Sequence, residues 1–84
     1  MKNKCGIVRK NNNFVIIKLF ANNQDGYYGD IYESMDELLF EHEDCEVMYG
    51  YGIIDINTGY CPSEAYDWYD TIEEAEVFIK DNLI

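Results

Sequence analysis

The chain has 84 residues, of which 48% are hydrophobic, and a formal net charge of −11 at pH 7. This length allows one domain, predicted to span 1–84, and the hydrophobic content is too high for a disordered chain. No apolar run approaches the ~20 residues of a membrane-spanning helix, and the odd count of three cysteines argues against a disulfide framework. We therefore expect a cytoplasmic protein with reduced thiols.

The first predicted element is a β-hairpin. Residues 5–9 and 14–20 are rich in apolar and β-branched side chains, and they flank a polar turn of three asparagines at 11–13. Strands bounded by such a turn are typical of a hairpin. The tyrosine-rich residues 27–32 predict a further short strand.

Two helices are predicted from their start signals. Ser34 and Thr71 are each followed three residues later by a glutamate, which is the pattern of a capping box. Apolar residues then recur at the spacing of one helix face. These patterns predict helices over 34–43 and 71–82.

The remaining strands are predicted between and before these helices. Residues 46–56 have strand character but include Gly50 and Gly52, and glycines inside a strand suggest a bend, a bulge or a close backbone approach. Residues 65–69 predict a short strand before the second helix. The elements together predict an α+β fold, with one antiparallel sheet and both helices packed on one face.

The chain also shows an internal similarity. An offset of 37 places residues 30–37 on 67–74 with three identities in eight positions, and the same offset aligns two apolar segments. This alignment predicts a tandem duplication of a β-β-(β)-α unit, with repeats of roughly 1–46 and 47–84. Under this prediction the two acidic helices would form neighbouring ridges.

Charge is distributed unevenly along the chain. Residues 1–20 carry bases and no acid, whereas all seventeen acids lie in the remainder, where the runs 30–46 and 64–76 contain no lysine or arginine. A solvated helix face usually intersperses lysine among its acids, so these runs favour a surface adapted to a basic partner. The candidate partner-binding residues are Asp36, Glu37, Phe40, Glu41, Asp44, Asp67, Asp70, Glu73 and Glu76.

Catalytic and metal-binding motifs give weak signals. The single histidine is not part of a recognisable nucleophile–base pair. Cys5, His42, Cys45 and Cys61 offer four zinc ligands, but no CxxC spacing is present. The acids of residues 25–30 do not follow the pattern of a calcium loop. We therefore predict neither a cofactor nor an enzymatic activity.

In its size, its acidic runs 30–46 and 64–76 and its lack of catalytic motifs, the chain resembles small acidic DNA-mimic proteins of phages, including anti-CRISPR and anti-restriction inhibitors. The resemblance rests on general character and carries over no site residue. It implies an inhibitor that binds the basic, nucleic-acid-binding surface of an enzyme or effector complex, and that does not bind nucleic acid itself.

Two alternatives stay open at this point. An immunity protein or antitoxin that neutralises a basic toxin would need the same electrostatics. A small-ligand module would use the tyrosine- and glycine-rich segments 26–32 and 49–52, either within one chain or in a homodimer. Tyrosine and tryptophan are enriched at binding surfaces because they bury area while keeping a polar end.

Overall fold

The computed structural model describes residues 6–83. Its elements are β1 (Ile7–Asn11), β2 (Phe14–Gln24), β3 (Tyr27–Tyr32), α1 (Met35–Glu41), β4 (Val47–Asp55) and α2 (Ile72–Phe78), which continues as a π-helical turn over Ile79–Leu83. The four strands form one antiparallel sheet, which confirms the predicted α+β class. No helix within 6–83 is long and apolar enough to cross a membrane.

Strand β2 organises the sheet because it pairs along both of its edges. It pairs with β4 continuously from Phe14 to Asn22. Phe14 also pairs with Asn11 of β1, whereas Phe20 also pairs with Tyr32 of β3. Since β4 occupies one edge of β2, β1 and β3 must share the other edge and lie end to end along it.

The turns of both hairpins contain residues that tolerate a positive φ angle. Asp25 and Gly26 have φ values of 57° and 89°, as in the type I′ turn that suits a two-residue hairpin. The Gly26 backbone N–H donates to Asn23 Oδ1 at 2.8 Å. In the β1–β2 hairpin Asn12 has a φ of 56°, which asparagine adopts more readily than most residues.

The hydrophobic core has one part on each face of the sheet. Because side chains alternate along a strand, Ile17 and Leu19 of β2 point to one face, where they pack with Trp68. Ile16 points to the other face and packs with Ile53 of β4 and with residues of α2. Ile16 and Ile53 are fully buried.

Both helices lie on the face that carries Ile16. Arg9 pairs with Ile16 in the sheet and forms an ion pair with α2. Tyr32 pairs with Phe20, and its ring contacts that of His42, the residue that ends α1. Ile16 and Phe20 point to the same side of β2, so the predicted placement of both helices on one face is correct.

The opposite face is partly covered by Trp68, which lies on Gly50. A Cβ atom added to Gly50 would come within 2.3 Å of the Trp68 ring, so a close approach explains this glycine and no bulge interrupts β4 opposite β2. The next residue, Tyr69, exchanges two backbone hydrogen bonds of 2.8 Å with Tyr51. Trp68 and Tyr69 therefore straddle the outer edge of β4.

Some of the predicted elements differ from those in the structure. The predicted strand 65–69 is reduced to the single bridge between Tyr51 and Tyr69, because the chain before it turns, with Ala65 N–H donating to the Pro62 carbonyl. The predicted helix 71–82 is α-helical only to Phe78. The predicted strand 5–9 begins at Ile7, and its first residue lies outside the described residues.

The predicted repeat units differ in their strands. Helices α1 and α2 are related by the offset of 37 and have equal length, and each N-cap side chain accepts a hydrogen bond from the amide three residues later. However, residues 6–46 supply three strands, whereas 47–83 supply one strand and one bridge. The duplication stays a prediction.

We expect Gly50→Ala to destabilise the fold by about 1–3 kcal/mol, the usual cost of inserting a methyl group into a packed site. Urea unfolding monitored by circular dichroism measures this change. Gly6→Ala is the control, because its added Cβ would meet only Lys18 Cβ at 3.7 Å. Equal unfolding midpoints for the two variants would show that Trp68 does not pack tightly on Gly50.

Candidate partner-binding surface

Helix α1 buries one side chain and exposes another on its opposite side. Ser34 caps its start, and Ser34 Oγ accepts the Glu37 N–H at 3.3 Å. Leu38 is fully buried, whereas Phe40 is 83% exposed. Two residues along a helix correspond to a rotation of about 200°, so burial of Leu38 directs Phe40 away from the sheet.

Phe40 forms part of a surface groove with acidic walls. The groove has a volume of about 390 Å³ and is lined by Tyr32, Asp36, Glu37, Phe40 and Glu41. We call these five residues the α1 groove. None of them is basic, so an exposed aromatic ring lies among three carboxylates.

The pKa of Tyr32 is raised by its surroundings, and part of the rise comes from carboxylates near the groove. Local desolvation raises the pKa of Tyr32 above its usual value, and the carboxylates of Asp30 and Glu41 raise it further. Like charges disfavour the formation of a phenolate. The same field would attract a cationic side chain.

The end of α1 is held against β3 by His42. Its Nε2 atom lies 3.1 Å from Asp30 Oδ2, and its ring meets the Tyr32 ring edge-on at 6.1 Å between centroids. The hydrogen bond and the ring contact fix the helix next to the strand that supplies Tyr32. His42 thus acts here as a structural residue at the C-cap of α1.

Two of the acids of α2 line a different cleft. Glu73 and Glu76 lie there with Asn11, Val77 and Lys80. Glu76 Oε2 forms an ion pair with Arg9 Nη1 at 2.8 Å, and this partly exposed pair contributes about 0–1 kcal/mol to stability. The structure therefore gives Glu76 a role in attaching α2 to β1.

The remaining predicted residues are dispersed. Asp44 is exposed just beyond α1. Asp67 lines an apolar cleft on the face opposite the helices, beside Cys61, where burial raises the pKa of the Cys61 thiol and Asp67 raises it further. Asp70 accepts a hydrogen bond from Trp68. Of the nine predicted residues, four thus line the α1 groove together.

The described residues form no recognisable metal site. Within 6–83, no three histidine, cysteine or acidic side chains are grouped as metal ligands would be. Cys45 and Cys61 are free thiols, and Cys5 lies outside the described range. The segment considered for calcium, 25–30, forms the turn and strand of the second hairpin.

Tyr32 is the groove residue that was not among the predicted site residues. In the sequence it belongs to the tyrosine-rich residues 27–32, which predict a strand. Strand alternation could have indicated Tyr32 as a site residue. Asp30 and Tyr32 lie two residues apart in β3 and therefore point to the same face, and β3 ends shortly before Ser34, which caps the acidic helix α1.

The chain matches no protein-family model, no curated protein and no solved structure. No relative therefore supplies a partner, a substrate or a catalytic residue for comparison. The chemistry offered by the α1 groove is that of its own side chains: an exposed phenyl ring, a phenol and three carboxylates.

We expect Phe40→Ala to leave the free energy of unfolding unchanged within about 0.5 kcal/mol, as is usual for an exposed side chain. Leu38→Ala, two residues away, should cost about 2–5 kcal/mol because it removes a fully buried side chain. Urea unfolding of both variants tests this contrast. A large loss in Phe40→Ala would mean that Phe40 belongs to the core and is not available to a partner.

Proposed function

We propose that the protein is a non-enzymatic inhibitor that binds, through the α1 groove, a basic, nucleic-acid-binding surface of another protein. The observation that carries this proposal is Phe40, which is 83% exposed among the carboxylates of Asp36, Glu37 and Glu41. The resemblance to small acidic phage inhibitors extends the proposal to a phage protein acting in the host cytoplasm against a CRISPR effector or a restriction enzyme.

An aromatic ring among carboxylates suits such a target in two ways. Burying the Phe40 ring in a partner would contribute about 1.5–3 kcal/mol through the hydrophobic effect. Carboxylates one helical turn apart, such as Glu37 and Glu41, can pair with the lysines and arginines that otherwise bind phosphate. The partner would then have its nucleic-acid contacts occupied by protein.

The net charge of −11 supports the same proposal. Charge of one sign attracts an oppositely charged partner over distance and raises the rate of association. Two of the bases in the described chain are engaged within the fold: Arg9 pairs with Glu76, and Lys18 Nζ lies 5.1 Å from the centre of the Tyr49 ring. Neither of these two bases lines the α1 groove.

We expect the triple variant Asp36→Asn, Glu37→Gln and Glu41→Gln to lose partner binding while keeping its fold. Glutamine preserves the capping-box pattern at position 37, so the change removes charge more than structure. The measurement is capture of proteins from a nuclease-treated bacterial lysate, eluted with stepped salt and identified by mass spectrometry. Elution by salt is expected because the Debye length falls to about 3 Å at 1 M.

The matched control is Asp25→Asn, Glu64→Gln and Asp81→Asn, which removes three charges from exposed positions outside the α1 groove. The control should capture the same protein as the wild type, and the captured protein should lose nucleic-acid binding when the inhibitor is added. Equal capture by the groove variant would contradict the proposal. Capture of a small basic toxin that lacks nucleic-acid binding would instead identify an immunity protein.

A further inference from the structure

A second surface cleft combines aromatic rings with carboxylates, and it shares no lining residue with the α1 groove. It has a volume of about 380 Å³ and lies between the β2–β3 hairpin and the chain entering α2. We call it the aromatic cleft. The residues that give it its chemistry are Tyr27, Tyr28, Trp68, Asp70 and Glu74.

The aromatic wall of the cleft is held rigidly. Trp68 is 8% exposed, lies on Gly50 and stacks on Tyr28 with 5.0 Å between ring centroids and 18° between planes. Its indole Nε1 donates to Asp70 Oδ1 at 3.0 Å. The indole is thus fixed by contacts on the sheet, on Tyr28 and on Asp70.

The two carboxylates are positioned by the same network and keep acceptor capacity. The Asp70 backbone N–H donates to Glu74 Oε1 at 3.3 Å. Among residues 6–83, no group donates a hydrogen bond to Asp70 Oδ2 or Glu74 Oε2. Both side chains belong to exposed residues, so these oxygens are available to a donor from outside.

We propose that the aromatic cleft binds the guanidinium group of an arginine side chain of the protein partner. A guanidinium is planar, stacks on aromatic faces and presents donors that match carboxylates. Tyr27, which is 77% exposed, and Tyr28 offer the aromatic faces, whereas Asp70 and Glu74 offer the acceptors. This inference rests on the proposed function, because it supplies the same basic partner with a second contact.

The chemistry of the cleft opposes other occupants. A phosphate would be repelled by Asp70 and Glu74, and an apolar ligand would leave Asp70 Oδ2 and Glu74 Oε2 without a hydrogen-bond donor. A lysine ammonium is a compact, strongly hydrated charge that gains less from stacking than a guanidinium does. Arginine is the cationic side chain that uses both the rings and the acids.

Trp68 is the only tryptophan, and it lines the cleft, so its fluorescence can report binding. The probe is the capped peptide acetyl-Gly-Arg-Gly-amide, titrated into the wild-type protein at low salt. We expect a saturable change in Trp68 emission. Replacing the arginine of the peptide by citrulline should weaken the affinity at least about tenfold, because the charge-assisted hydrogen bonds are lost. Replacing the arginine by lysine should also weaken the affinity. Equal responses to the arginine and citrulline peptides would overturn the inference.

The variant Asp70→Asn, Glu74→Gln retains the oxygen acceptors for Trp68 Nε1 and for the Asp70 N–H while removing both charges. It should keep the wild-type emission spectrum without peptide and bind the arginine peptide at least about tenfold more weakly. The double variant Glu64→Gln, Asp81→Asn is the matched control, because it removes two charges from exposed positions outside the cleft, and it should bind this peptide as the wild type does. Unchanged affinity in the double variant would also overturn the inference.

This test separates the two proposals. If the peptide fails to bind while partner capture still depends on Asp36, Glu37 and Glu41, the arginine site is wrong and the proposed function stands. If the peptide binds through Asp70 and Glu74 but the α1 groove variant captures the partner as the wild type does, the cleft is confirmed as a guanidinium site and the proposed docking surface is wrong.

Discussion

The pairing of β2 along both edges is the constraint on which the rest of the structure depends. The eleven residues of this strand contact every other strand, and their alternation divides the core between the two faces of the sheet. One face receives the helices, and the other receives Trp68. The α1 groove exists because Leu38 is buried beneath the helix while Phe40, on its other side, has nothing in the described chain to cover it.

The uneven charge of the chain has a structural consequence within the fold. Arg9 and Lys18 come from the basic first part of the sequence, and both contact side chains from the acidic remainder, Glu76 in one case and Tyr49 with Tyr51 in the other. The first contact joins opposite charges that are distant in the sequence, whereas the second places the Lys18 ammonium over neutral tyrosine rings. The acids around Phe40 are left without such a counterion among the residues that line the groove.

The parts of the structure that depend on short-range rules were predictable from the sequence. Capping boxes located both helices, strand patterns located β4, and an exposed Phe40 among acids follows from helical spacing. The parts that depend on long-range contacts were not predictable. Which edge each hairpin occupies depends on the pairing of β4 with β2. The contact between Arg9 and Glu76 and the separation of Asp67 and Asp70 from the α1 groove depend on how the chain between β4 and α2 crosses the sheet. The turn at Asp25 and Gly26 is a missed local signal, since this dipeptide is a strong indicator of a hairpin.

The end-to-end placement of β1 and β3 also affects how readily strands of two molecules could pair. An exposed strand edge invites pairing with strands of other molecules, and proteins resist this with short edges, charges and irregularities. Here the shared edge is made of β1, which has five residues, and β3, which has six. Each of these strands has a register shift against β2. The two strands carry opposite charges at Lys10 and Asp30. On the far side, Tyr69 occupies the outer edge of β4 at Tyr51. A strand from a neighbouring molecule would therefore meet an interrupted template, which disfavours edge-to-edge pairing between copies of the chain.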